Sequence, residues 1–253
     1  MLTCELPENT RPKTMTNEAI AAQRAPAARA PAAGLPDYMT EVYDWAYVNP
    51  RWVRFLDRNA VVSTLLFGNA GRLMRAYLKR IKPGMRVWQV AHVYGDLVQR
   101  VAQRVGPEGH FDLTDVTPIQ ISQARGKLGG IPQAHVTEHD ASTWAGSADY
   151  DLVCSFFLLH EIPDALKHAV VDRMLSRVAP GGTVFFVDYH RPALWQPVGW
   201  LLRLVNHYLE PFAYAMWGRE IRDFASNADA FTWHKTTYFG GVYQAVEVRR
   251  REA

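Results

Sequence analysis

Cysteine is nearly absent: the 253-residue chain has two, Cys4 and Cys154. At most one bridge can form, which excludes a disulfide-framework fold. With Cys154 inside an apolar run, a reducing compartment fits better than secretion. An excess of one charge sign is also lacking. Lys and Arg outnumber Asp and Glu by 28 to 25, a net charge of +3, too little for a nucleic-acid groove, and no nucleic-acid partner is expected. No apolar run reaches the ~18 residues that span a bilayer; Arg203 and His207 interrupt the longest candidate, residues 193–209. Residues 11–36 contain no aromatic residue and no apolar period. Residues 1–36 therefore read as a disordered tail, whose Glu5, Glu8, Glu18 and repeated prolines weigh against a mitochondrial transit peptide.

Aromatic side chains are plentiful, with 8 Trp, 11 Tyr and 11 Phe, and they are unevenly placed. Residues 38–55 and 189–243 are rich in them, while the stretch between is poor. In that middle stretch, short apolar runs alternate with helical patterns, the signature of βαβ units and a mostly parallel sheet. Strands are expected at 85–91, 109–115, 135–138, 150–157 and 183–187, and helices at 95–105, 118–128 and 164–178, the last closed by Pro180-Gly181-Gly182. The domain, 37–253, divides into an N-terminal helical cap (37–82), a cofactor core (83–191), a helical aromatic lid insertion (192–226) and C-terminal strands (227–253). Alternation at 231–234 and 241–248 predicts a closing antiparallel hairpin.

In such folds the ligand sits beyond the carboxyl ends of the strands, so the turn after the first strand is decisive. Here it reads Gln89-Val90-Ala91-His92-Val93-Tyr94-Gly95, with one glycine where a dinucleotide fingerprint needs three, which argues against a bound pyrophosphate. Asp115, at the end of the second strand and twenty residues past Gly95, has the spacing of a ribose-binding carboxylate, with a helix cap as its competing role. Asp140, after the third strand, either accepts from an adenine amino group or starts a turn.

The order of these parts resembles the class I S-adenosylmethionine-dependent methyltransferases over residues 38–190. Asp115-Val116-Thr117-Pro118 is similar to the family's ribose motif and His139-Asp140-Ala141 to its adenine motif. Tyr150 to Asp164 resembles its fourth-strand motif, and Arg177 to Gly182 the turn before its fifth strand. The resemblance implies an α/β class I methyltransferase-like Rossmann fold with a mostly parallel seven-stranded sheet, and cofactor contacts from Ala91, Gly95, Val116, Ala141 and Phe156. Tyr43 and Tyr47 share a helix face in a segment that folds over the cofactor in that family. The family's first motif, acid-x-Gly-x-Gly-x-Gly, appears here with Gln89, Ala91, Val93 and Gly95 at those positions. A glutamine accepts a hydrogen bond but cannot hold an ammonium by charge.

The run Val90 to Asp96, together with His160-Glu161-Ile162-Pro163, looks like the rhodoquinone biosynthesis protein family. That resemblance implies S-adenosylmethionine as an amino donor, manganese as a required ion, ubiquinone as the substrate whose ring methoxy group is exchanged for an amino group, and peripheral placement on the cytoplasmic face of the inner membrane. Tyr94 or His92 would then handle protons. Related quinone O-methyltransferases bind a divalent ion where His160 and Glu161 stand, and Asp188 and His190, alternating after the fifth strand, are candidates to complete that site. The insertion's Trp195, Trp200, Tyr208, Phe212, Tyr214 and Trp217 are expected to line an apolar quinone route, or to lie at a membrane interface. A conventional methyltransferase with His160 as general base and a non-catalytic binding module are the competing readings.

Overall fold

The computed structural model describes Pro36, Met39 and residues 50–251 apart from Ser147; most of the tail, and Tyr43 and Tyr47, lie outside the described residues. Five parallel strands, β1 (Arg86–Val90), β2 (His110–Asp115), β3 (Ala134–Glu138), β4 (Tyr150–Phe156) and β5 (Val178–Tyr189), are joined by β6 (Phe231–Tyr238) and β7 (Tyr243–Arg250). The order across the sheet is β3-β2-β1-β4-β5-β7-β6, with β7 antiparallel to both β5 and β6. This is the seven-stranded α/β architecture expected from the sequence.

The central strands are apolar without alternation because both faces are covered. Along β5, Val184 and Phe186 enter a core with Trp88, Val90, Tyr150 and Val171, while Phe185 and Val187 enter the opposite core with Tyr77, Leu97, Val101 and Cys154. Cys154 is fully buried, and burial pushes its thiol well above the usual range. Among the described residues, helices α1 (Pro50–Leu56), α2 (Asn59–Leu65) and α3 (Ala70–Leu78) precede the sheet. Helix α4 (Leu97–Val105) follows β1 and buries Leu97, Val98, Val101, Ala102 and Val105, the stripe that a 3.6-residue period places on one face. Helices α5 (Pro118–Leu128) and α6 (Asp164–Ser176) complete the crossovers, and the insertion holds α7 (Val198–Tyr208) and the single turn α8 (Ala215–Gly218).

Departures from the expected boundaries trace to glycine. Helix α4 begins at Leu97 because Gly95 sits at φ +86°, in the left-handed region. The expected stop at 180–182 falls inside β5. Tyr150 pairs with Val178 and Leu152 with Thr183, so residues 179–182 bulge out, with Gly181 at φ +76°. Helix α6 has already ended at Ser176.

Candidate active site

The strand order reverses between β1 and β4, and in sheets wound this way ligands settle outside the strands' carboxyl ends at that point. A cavity of about 510 Å³ occupies this position, within the range of roughly 300–1,000 Å³ typical of small-molecule sites. Strand ends supply Val90, Ala91, Thr114, Asp115, Phe156 and Phe157; Leu65 and Phe67 close it from one side, and Leu201, Leu202 and Val205 of α7 with Leu209 just after it from another. Three of the four non-glycine residues at positive φ among the described residues, Phe67 (49°), Ala91 (65°) and Phe157 (58°), line this cavity. Such backbone persists where surrounding structure enforces it, commonly beside a ligand. Ala91 stands where the resembling motif has its first glycine, and at φ 65° it holds a left-handed backbone that glycine would adopt without strain.

Hydrogen bonds replace the missing glycines as the means of fixing this turn. Asp115, buried, accepts the backbone N–H of His92 at 2.9 Å on one oxygen and that of Thr117 at 2.8 Å on the other. Burial raises its pKa against the pull of these N–H groups. It thus joins the β1 turn to the start of α5, and the residue also lines the cavity. His92 Nδ1 lies 2.8 Å from Gln120 Oε1, and Lys127 Nζ lies 3.1 Å from His92 Nε2. The ammonium can only donate, so Nε2 is the acceptor and Nδ1 carries the proton. Burial and the Lys127 charge hold this ring neutral, lowering its pKa to about 3. Gln120 Nε2 donates to the Tyr94 hydroxyl at 2.8 Å, and burial keeps that phenol protonated.

Behind the turn, Lys127 donates to Asp57 and, at 2.7 Å, to the Gly95 carbonyl, while the Gly95 N–H donates to Asp57 at 2.9 Å. A Cβ on Gly95 would stand 2.6 Å from Asn59 Oδ1. Lys127→Met is expected to lower stability by about 2 kcal/mol, since Asp57 and the Gly95 carbonyl lose a charged partner in a largely shielded site. Urea-unfolding midpoints of the two proteins check this.

Across the cavity, a 3-10 turn at Leu159–Glu161 follows β4. His160 Nδ1 is 2.8 Å from Asp188 Oδ1, and its Nε2 is 3.6 Å from Glu161 Oε1. Asp188, on β5, also accepts the N–H groups of Leu159 at 2.8 Å and Tyr189 at 2.7 Å. Burial alone would lower the His160 pKa; the Asp188 charge and hydrogen bond, aided by Glu161 and Glu210, outweigh it and raise the value to about 9. The metal-free ring is therefore a proton donor at neutral pH rather than a base. Among the described residues no group of three or more His, Cys, Asp or Glu side chains could hold a metal ion. His160 Nε2 and Glu161 offer two ligands at most, with Asp188 orienting the ring from behind.

The structure gathers Ala91, His92, Tyr94, Asp115, Val116, Asp140, Ala141, Phe156, His160 and Glu161 around one cavity. Asp140 also caps its own turn, accepting the Ser142 N–H at 2.8 Å. Other expected residues fall elsewhere. Gln89 is fully buried and does not border the cavity; its Nε2 donates to the Ala91 carbonyl at 3.2 Å, and its Oε1 has no hydrogen-bond partner among the described residues. Gly95 lies behind the wall. His190 departs furthest from expectation: strand alternation does not carry it past the end of β5, and its Nδ1 turns to the Gly241 carbonyl at 3.0 Å, beside a second cavity with Lys235. The expected aromatic lining also fails. None of Trp195, Trp200, Tyr208, Phe212, Tyr214 or Trp217 borders the cavity, where α7 presents aliphatic side chains instead.

Residues 87–182 match the methyltransferase domain family. An O-methyltransferase family protein from Burkholderia thailandensis superposes with a TM-score of 0.61 over 82% of this chain and 62% of its own, at 15% identity. The N-methyltransferase NodS from Bradyrhizobium japonicum in complex with S-adenosyl-L-homocysteine gives 0.54 over 86% of this chain and 100% of its own, at 14% identity. The chain has a class I methyltransferase fold. Among curated relatives, the ubiquinone/menaquinone biosynthesis C-methyltransferase UbiE of Vibrio campbellii is 26% identical over 53% of this chain and 54% of its own length. UbiE of Vibrio parahaemolyticus is 24% identical over 60% of each. The chain thus spans little more than half the length of the curated relatives it matches. Within the methyltransferase fold, Gln120, Lys127, Asp57 and Phe157 are site residues that sequence reasoning missed. Gln120 alone carried a signal, since the first turn of a helix that starts at the cavity must face it.

Proposed function

We propose that this chain is an S-adenosylmethionine-dependent transferase acting on a quinone, and that it transfers the amino group of the cofactor, replacing a ring methoxy group of ubiquinone. The fold supports the class of cofactor, and the curated C-methyltransferase relatives support a quinone. The observation that carries amino transfer is the charge inventory of the β1 turn: residues 86–95 contain no carboxylate, and the position of the family acid is the uncharged Gln89. An ammonium without a carboxylate partner loses its proton more easily, and only the free amine attacks an electrophilic ring carbon. In the first step the C–N bond forms at the carbon bearing the methoxy group. The C–O bond breaks, and methoxide leaves with a proton as methanol. The adduct then loses its Cα proton as the quinone ring takes up the electron pair to become a quinol. Water hydrolyses the resulting imine at the N–Cα bond, releasing the aminoquinol, which reoxidises to the aminoquinone, and the cofactor's 2-oxo acid.

On this reading Asp115 holds the ribose through the lone pairs not used by His92 and Thr117, with Asp140 and Ala141 beside the adenine. Tyr94, its hydroxyl fixed by Gln120, faces the reacting groups and supplies protons, and His160, protonated only while no metal is bound, lies across the cavity from it. His92 serves as a fixed strut, since both its ring nitrogens are engaged. A manganese ion would be held by His160 Nε2 and Glu161, with remaining positions left to ligand and water, and would polarise a quinone oxygen when bound.

Methyl transfer to the ring is the second reading, favoured by the C-methyltransferase activity named for the UbiE relatives. Mass spectrometry of the products from purified protein, S-adenosylmethionine and Mn²⁺, with a short-tail ubiquinone in one reaction and a short-tail quinol that keeps a ring C–H in another, separates the two. Exchange of methoxy for amino is expected; a product heavier by one methylene and no aminoquinone would overturn amino transfer.

A further inference from the structure

Helix α7 has two apolar faces with different destinations. Leu201, Leu202, Val205 and Leu209 turn towards the cavity. Trp200, Leu204 and Tyr208, spaced i, i+4, i+8, are exposed, Trp200 by 72%. Of its eleven residues only Leu202 and Asn206 are buried, so the helix leaves a large apolar surface uncovered. Trp195, in the chain before α7, is 74% exposed, and Trp52 and Phe55 of α1 are exposed as well.

Charge along these two segments is mostly of one sign, with Glu210 at the cavity edge as an exception. Residues 191–209 contain no Asp or Glu, and in 50–65 the sole acid is Asp57, which Lys127 holds. Arg54, Arg58, Arg191 and Arg203 are all exposed, and the Arg203 guanidinium lies 4.8 Å from the Trp200 ring centre. Tryptophan and leucine flanked by arginine suit the boundary between acyl chains and anionic headgroups, where arginine meets phosphate and the apolar face leaves water. The surface is also continuous with the cavity: Leu65, Leu201 and Leu209 line it and are 54%, 50% and 45% exposed.

We propose that this face docks on an anionic phospholipid bilayer, and that the cavity mouth at Leu65, Leu201 and Leu209 draws the apolar tail of its substrate sideways from the acyl layer. The second half rests on the quinone reading; the docking does not. Flotation of the full chain with phosphatidylcholine vesicles, with and without phosphatidylglycerol, tests it. Binding to the anionic vesicles is expected, weaker by about tenfold or more on phosphatidylcholine alone. The Trp200→Ser/Leu204→Ser double variant and Arg203→Glu should each lose about tenfold or more in vesicle affinity. Both should keep the wild-type melting temperature and turnover of a short-tail quinone in solution, while turnover of a long-tail quinone in vesicles falls with binding. Wild type that does not float, or variants that float as well as wild type, would overturn the docking. So would a wild-type dimer that the double variant converts to monomer with vesicle binding unchanged, since a second copy would then own the face. Vesicle binding with no quinone turned over would sink the quinone reading and leave the docking standing.

Discussion

Asp188→Ala is expected to destabilise the metal-free protein by about 4 kcal/mol, the largest single effect at the site, because it strips a buried cation of its partner. His160 and Asp188 have side-chain exposures of 5% and 1%, so water cannot substitute, and the N–H groups of Leu159 and Tyr189 lose their acceptor as well. The loss should depend on pH. His160 binds its proton more tightly folded, with a pKa of about 9, than at its ordinary 6.5. A raised pKa stabilises the fold fully below about pH 6.5, and that contribution fades as pH rises through about 9. Melting temperatures between those limits should therefore fall for the wild type and stay level for Asp188→Ala. Equal slopes would show that His160 is not held charged.

Asp115→Ala should act on binding. The side chain joins two backbone N–H groups, of His92 and Thr117, across the mouth of the β1 turn, and hydrogen bonds to a charged group are worth about 1.5–3 kcal/mol each. Loss of even one such bond's worth of preorganisation, added to loss of the ribose contact, should weaken S-adenosylmethionine by at least about 100-fold, or 2.7 kcal/mol. Calorimetric titration checks this. Asp115→Asn, which keeps one acceptor oxygen, should fall between. An unchanged affinity in the alanine variant would remove Asp115 from the cofactor site and leave it a structural clasp.

Much of the fold was legible because local signals and burial agree. Helix α5 begins at Pro118 and ends at Leu128 as read from sequence; proline at the first helical position and glycine after the last mark both ends. The bulge in β5 was not legible, since Pro180-Gly181-Gly182 looks the same after a helix as inside a strand that bulges. At the site, residues next to strand ends were found because topology brings strand ends together. The Lys127–Asp57 clamp joins residues seventy positions apart, a pairing no spacing rule encodes. The two faces of α7 were in the sequence all along, with aliphatics at 201, 202, 205 and 209 and Trp200, Leu204 and Tyr208 between them. What it did not contain was which face the cavity would take.

The burial of Cys154 makes the sheet its own clock. Its thiol lies in the core on one face of the sheet, beside Tyr77 of α3, with a pKa pushed well above the usual range, and only the thiolate reacts with an alkylating reagent. Modification must wait until that core opens. The rate at which Cys154 is alkylated therefore reads out how often the core opens, and the slowing of that rate on adding a cofactor would give the energy of binding with no label attached.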